Sequence, residues 1–295
     1  MPDWPTTYGY NLFLYPWQTW WFGPWDLLIE HGHRLLGATV GFLTILTVVS
    51  IVICDTRRWV QVLAFAALLA VIAQGVLGGQ RVLQDSVFLA RLHGCFGPAF
   101  FAICVTLCLF TSRNWQMDTK WVGSAKTGWL HRLAAATAVA AYVQLVLGSQ
   151  VRHVVPDASL GSFRTAVLLH VAMAVIVTSL IFCLAAIIVT RHRGRPALTT
   201  SAILLSMLVI AQLLLGAGSW IVKYGWPHGL PTISWSETFT VQADAMLPAA
   251  IVTGHVAVGS LILAVAVAVT LLSIRYRDTN APPTRLSDHL LGVPA

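Results

Sequence analysis

Apolar residues in this chain fall into long unbroken runs separated by short clusters rich in Arg, Asp, Ser, Gly and Pro. Neither an alternating strand pattern nor a one-sided helical stripe describes them. Crossing about 30 Å of hydrocarbon takes roughly 20 residues at 1.5 Å each. Seven runs meet that length, at 27–54, 60–81, 88–111, 129–152, 163–190, 199–222 and 247–274. They predict seven transmembrane helices joined by short polar connections. What remains is too short for a soluble domain: an interfacial segment at 1–26, broken by Pro16 and Pro24, a connection at 112–128 and a tail at 275–295. The start of the chain lacks the charged opening and cleavage site of a signal peptide.

Composition agrees, since 57% hydrophobic against 10% charged residues is outside the balance of a soluble globular chain. The net charge of +7 would suit a nucleic-acid partner, but its distribution points to a bilayer instead. Arg57, Arg58, Arg113, Lys120, Lys126, Arg132, Arg191, Arg193, Arg195, Arg275, Arg277 and Arg285 fall at one set of alternate span ends. Only Arg34, Arg81, Arg91, Arg152, Arg164 and Lys223 fall at the other. The positive-inside rule then predicts a plasma-membrane protein that starts outside and ends in the cytoplasm. Trp4, Trp17, Trp20, Trp21, Trp25, Trp220, Trp226 and Trp235 lie toward the outer interface, and Trp59, Trp115, Trp121 and Trp129 toward the inner, as aromatic belts do. The five cysteines all lie within or at the edge of spans, so neither a disulfide framework nor a CxxC metal site is expected.

Three spans end in related strings: Gln74-Gly-Val-Leu-Gly-Gly-Gln-Arg81, Gln144-Leu-Val-Leu-Gly-Ser-Gln-Val-Arg152 and Gln212-Leu-Leu-Leu-Gly-Ala-Gly218. Each is followed, after an outer connection, by a span with one histidine near its outer end: His93, His170 and His255. His33 opens the first span in the same way. Duplication explains this pattern. The expected fold class is all-α integral membrane, with two pseudo-symmetric four-helix bundles, at 27–111 and 129–274. The first of these is incomplete, because a counterpart of the 129–152 helix is missing from its front.

A histidine ring in hydrocarbon needs a polar partner, and for any single one a bond to a neighbouring helix would suffice. Four at one depth, on spans running the same way, point further. Within each half the two histidine helices are parallel, and a bundle interior leaves room for a flat macrocycle between opposed imidazoles. Two axial histidines on one heme iron are the expected result. Gly37, Gly94, Gly97, Gly254 and Gly259 would let a porphyrin approach the backbone, while close helix packing, as in Gly37-x-x-x-Gly41, explains them equally well. His31, two positions from His33, faces elsewhere, and with His131, His153, His192, His228 and His289 it is read as polar or interfacial. Glu30 lies one turn before His33. It either favours the helix start and pairs with Arg34, or serves as a proton-handling carboxylate at a reactive iron. Arg81, Arg91 and Arg152 could meet heme carboxylates, although snorkelling to headgroups explains each singly.

Glu30-His31-Gly32-His33-Arg34, the Gln-x-x-Leu-Gly strings and Pro2-Asp3-Trp4-Pro5 together resemble the heme A synthase family over essentially the whole chain. The resemblance implies eight helices in two bundles, a heme b cofactor in the C-terminal half and a substrate heme site in the N-terminal half. It makes His170 and His255 the axial ligands of the cofactor, His33 and His93 the receivers of heme O, and Glu30 the catalytic carboxylate. The implied reaction oxidises the C8 methyl of heme O to the formyl group of heme A, with oxygen from water. The implied partners are a heme O synthase, an electron donor, membrane lipid and a second copy of the chain; nucleic acid is not among them. Two departures stand out. The family's first helix is missing, and where many members carry a cysteine pair in the first outer loop this chain has Met1 and Thr6-Thr7. A diheme electron-transfer cytochrome is the main alternative; a transporter would need broken helices or midplane charges, which the spans do not show clearly.

Overall fold

The computed structural model describes residues 3–117, 129–227, 231, 240–241 and 245–278. Met1, Pro2, Lys120, Trp121, Lys126, His228, Trp235, Arg285 and His289 lie outside the described residues, as do most of the connection at 112–128 and of the tail. Nine helices occur among the described residues: α1 (Trp17–Trp21), α2 (Trp25–Cys54), α3 (Arg58–Leu83), α4 (Val87–Thr111), α5 (Arg113–Met117), α6 (Leu130–Arg152), α7 (Leu160–Arg191), α8 (Pro196–Tyr224) and α9 (Met246–Asp278). Seven of them, α2 to α4 and α6 to α9, are long and apolar enough to cross a membrane.

Most of these helices run one to four residues past the apolar runs at each end, because the helical hydrogen-bond ladder continues through the interface until a local signal stops it. Ser86 and Ser159 provide such signals: their Oγ atoms accept from the amides of Leu89 at 3.3 Å and Ser162 at 3.1 Å. Pro24 and Pro196 mark the starts of α2 and α8, where a missing N–H costs nothing. Inside the spans the hydroxyls of Thr39, Thr44, Thr47, Thr106, Thr137 and Thr270 donate to the carbonyl four residues back. Each polar group is thereby satisfied within its own helix, as hydrocarbon requires.

The C-terminal helices close on themselves: α6 packs on α7, α7 on α8, α8 on α9, and α9 back on α6. The N-terminal helices form an open row, α2 on α3 and α3 on α4. The two groups meet where α4 lies against α6 and α9. Cys95 Sγ donates to Ser149 Oγ at 3.3 Å and Arg91 Nε to the His153 carbonyl at 2.8 Å across that seam. A clamp fixes the opposite end of the N-terminal row. The Asp55 carboxylate accepts from the amide of Arg57 at 3.0 Å and from its guanidinium, which also donates to the Phe110 carbonyl at 3.0 Å. These bonds hold the Asp55 carboxyl below the usual carboxylate range, with burial working against them, and raise Arg57 in return.

Of the two readings of Gly37-x-x-x-Gly41, close helix packing is not found among the described residues: a Cβ at either position would meet nothing within 4 Å. That stretch of α2 faces outward with Leu36, Phe42 and Leu43, all well exposed. Such a surface is stable only against hydrocarbon or another apolar partner.

Candidate functional site

The four histidines singled out by position come together as two facing pairs. His33 on α2 and His93 on α4 have ring centres 6.2 Å apart with planes at 82°. His170 on α7 and His255 on α9 have theirs 6.4 Å apart at 74°. In the closed C-terminal group the paired helices are diagonal neighbours, with α6 and α8 between them; in the open row α3 lies between α2 and α4. His33 is exposed, while His93, His170 and His255 are half-buried.

Three of the rings are seated in the same way, through residues the sequence reading used only as marks of duplication. A Cβ on Gly78 would lie 2.9 Å from His93 Cε1, one on Gly148 3.0 Å from His170 Cε1, and one on Gly216 3.1 Å from His255 Cε1. The glycine of each Gln-x-x-x-Gly string thus leaves the notch that admits the imidazole edge, a place no other residue fits without displacing the ring. The glutamines grip the histidine helix. Gln74 Nε2 donates to the His93 carbonyl at 3.0 Å, and the Gln74 carbonyl lies 3.2 Å from His93 Nδ1. Gln144 Nε2 and Gln212 Nε2 stand 3.4 Å from Nε2 of His170 and His255. Gly97 and Gly259, each one turn past a histidine, make room for Gln74 and Gln212: a Cβ there would be 3.0 and 3.1 Å from the amide nitrogens. Their expected role beside a porphyrin therefore gains a competing one. Recurrence of the string before each of three histidines was the signal for this seat.

The close-packed core sits away from the histidines. On α7 no residue before Val177 is buried, on α9 none before Gly259, and on α6 and α8 none at 142–148 or 210–221. The buried clusters instead join Leu130 to Ala141, Val177 to Ile188, Leu198 to Val209 and Ile262 to Leu272 in the C-terminal half, and Val48, Ile51, Val60, Ala64, Ala67, Phe100 and Leu107 in the N-terminal half. Each half therefore has a tightly packed end and a histidine end lined by half-buried groups. Oε1 of Gln74, Gln144 and Gln212 is buried without a hydrogen-bond partner in each case. Leaving such an atom unsatisfied costs about 1–3 kcal/mol, which favours a polar group between the helices.

Heme fits these residues. A ligating imidazole nitrogen lies about 2.0–2.1 Å from its metal and about 1.1 Å from its own ring centre, so two axial rings stand about 6.2–6.4 Å apart. Both pairs have that separation. Groups of three or more His, Cys, Asp or Glu able to hold a metal are absent among the described residues. Two imidazoles alone need a partner that fills the other coordination positions, as a tetradentate macrocycle does. For His93 the Gln74 carbonyl engages Nδ1, which leaves Nε2 as the nitrogen available to a ligand.

Glu30 and His31 belong to a different constellation, built by the N-terminal segment. Arg34 Nη2 donates to Glu30 Oε1 at 2.6 Å and Nη1 to the Thr6 carbonyl, with Asp3 3.8 Å away. The Glu30 side chain is 57% exposed, so it stands at the mouth of the N-terminal half, not sealed inside it. His31 is buried, with Nδ1 3.2 Å from Thr7 Oγ1 and its ring between Tyr15 and Trp20. Trp4 lies flat over Gly79 of α3, where a Cβ would come within 2.3 Å of its ring carbons. Residues 3–24 thus bridge the outer ends of α2 and α3, next to the Gly78 seat of His93.

Fold and site together define an all-helical chain with seven apolar, membrane-length helices and two opposed imidazole pairs between them. No protein-family model, curated protein or solved structure matches it.

Proposed function

We propose that this chain holds heme through its two histidine pairs and oxidises a methyl group of a second heme, the conversion of heme O to heme A. The observation that carries the reading is the ring separation, 6.2 and 6.4 Å, the spacing two axial imidazoles take across one iron. His170 and His255, within the closed group, hold heme b as resident cofactor; His33 and His93, in the open row, receive heme O as substrate. The exposure of His33 supports this division, because a site that exchanges its ligand needs an open side. Bound heme b supplies one-electron transfer through its iron. Glu30, one turn before His33 and paired with Arg34, would take protons as the C8 methyl and one water become a formyl group, a change that releases four protons and four electrons, the electrons leaving to a membrane electron acceptor. Gln74 and Gly78 fix the His93 ring, and the N-terminal segment covers the outer side of the site.

The two halves are copies of one bundle, with α2, α3 and α4 matching α7, α8 and α9. A groove of about 630 Å³ between α2 and α4, lined by Val48, Ile51, Cys104 and Leu107 among others, lies where the C-terminal half has α6 between α7 and α9. The distribution of basic residues favours the plasma membrane, with the start outside and the end in the cytoplasm. A heme O synthase as supplier, a membrane electron carrier and surrounding lipid are the partners this activity needs.

A diheme electron-transfer cytochrome is the second reading, favoured by the near-identity of the two pairs and of the glycine seats behind His93 and His170. Expression beside a heme O supplier, followed by extraction of the bound hemes, separates the two. Heme A in the native chain and its loss in Glu30→Gln is the outcome expected of the synthase. Two b hemes per chain in both proteins would establish the cytochrome, and a colourless protein unable to take up hemin would end both readings.

A further inference from the structure

The strings that seat the histidines also end in cations. Arg81 lies three residues after Gly78, Arg152 four after Gly148 and Lys223 seven after Gly216, offsets that return to one helix face. Because each glycine backs a histidine ring, each cation stands about 5–10 Å farther along the helix that seats that ring. The ends of these helices are tied together: Lys223 Nζ donates to the Arg152 carbonyl at 3.4 Å, and Arg91 Nε to the adjacent His153 carbonyl at 2.8 Å. The last two bonds cap the end of α6, where cations are favourable. They use one donor of Lys223, whose Nζ also lies 5.4 Å from the Tyr224 ring centre, and none of the Arg152 guanidinium. Among the described residues, the ion pairs are those of Arg34 with Asp3 and Glu30 and of Arg57 with Asp55, so none of the four outer cations meets a carboxylate. His153 registers the concentration of charge: burial, then Arg152, Arg81, Lys223 and Arg91, hold it down to about 4.

Like charges gathered at the edge of hydrocarbon repel one another unless an anion joins them. We infer that these cations orient the macrocycle, Arg152 and Lys223 binding the carboxylates of the heme held by His170 and His255, and Arg81 those of the heme held by His33 and His93. The acidic edge of each heme then faces the outer interface and its apolar edge the packed end of the bundle. This inference rests on the histidine pairs ligating heme iron. A phospholipid phosphate is the other anion with matching chemistry.

The test titrates the purified full chain with hemin and with hemin dimethyl ester, whose carboxylates are masked, reading the low-spin absorbance of bis-imidazole heme. The native chain should bind hemin at least about tenfold more tightly than the ester. Arg81→Met with Arg152→Met and Lys223→Met should bring the two ligands within about twofold while keeping the low-spin band, and Arg81→Lys with Arg152→Lys should retain most of the discrimination. Equal binding of acid and ester by the native chain overturns the inference without touching the histidine assignment, whereas absence of a low-spin band with either ligand overturns the assignment itself. Repeating the titration in nanodiscs with and without anionic phospholipid decides the source of the anion. Unchanged discrimination supports heme carboxylates, and its loss in anionic lipid gives the cations to headgroups.

Discussion

The glycine four residues after each glutamine decides where an imidazole can lie. A methyl group at Gly148 would approach His170 Cε1 to 3.0 Å, so the ring must shift by a few tenths of an ångström, and a ligand bond about 2 Å long tolerates little of that. Gly148→Ala is expected to weaken heme binding by about tenfold or more, as loss of an orienting neighbour does at other metal sites. Gly75→Ala, whose Cβ meets nothing within 4 Å, should leave the spectrum and affinity unchanged. Hemin titration of both variants checks this, and equal affinities would show that the glycine seat is mere helix packing. The residue types were legible in the sequence as a repeated string, but their meaning was not. Glutamine, glycine and histidine lie on different helices, and spacing along one helix carries no information about what faces it on the next.

At the scale of elements, polar clamps at the helix ends add to the packed cores between the helices. The Asp55–Arg57 clamp joins the end of α2 and the start of α3 to the last turn of α4 through the Phe110 carbonyl. Because the folded chain holds the Asp55 carboxyl below its ordinary value of 3.8, the clamp stabilises the protein fully above that pH. Its contribution is lost as pH falls through the still lower folded value. Asp55→Asn should therefore cost about 1–3 kcal/mol at neutral pH, with the difference between native and variant closing below about pH 4. Thermal unfolding in detergent across that range measures it; a difference independent of pH would mean that packing, not charge, is lost. The N-terminal segment is fixed by the same logic: Thr6 and Thr7 meet Arg34 and His31 of α2, and Trp4 lies on Gly79 of α3. The sequence read His31 as a polar or interfacial residue facing away from His33; its burial beside Tyr15 and Trp20 was not readable, because those contacts come from a segment outside the helix.

For the whole molecule, the contrast between a closed group and an open row sets the order of stability. Every C-terminal span packs closely on two neighbours within its group, whereas α2 packs closely on α3 and meets α4 through the His33–His93 pair. Regions with fewer buried contacts open at lower free energy. Hydrogen exchange in micelles should then be at least about tenfold faster for amides of α2 beyond His33 than for those of α9 beyond His255. Equal protection would show that α2 is covered by a partner, such as a second copy of the chain.

The sequence by itself determined the seven membrane-length helices, their limits to within a few residues and the four histidines that share one depth, because hydrophobic length and position in a span are properties of a single segment. Only the tertiary structure decided that the histidines meet ring to ring at 6.2 and 6.4 Å, that glycine and glutamine on the preceding helix seat three of them, and that one half closes while the other stays open. Those are relations between segments far apart in the chain, and packing, not local preference, settles them.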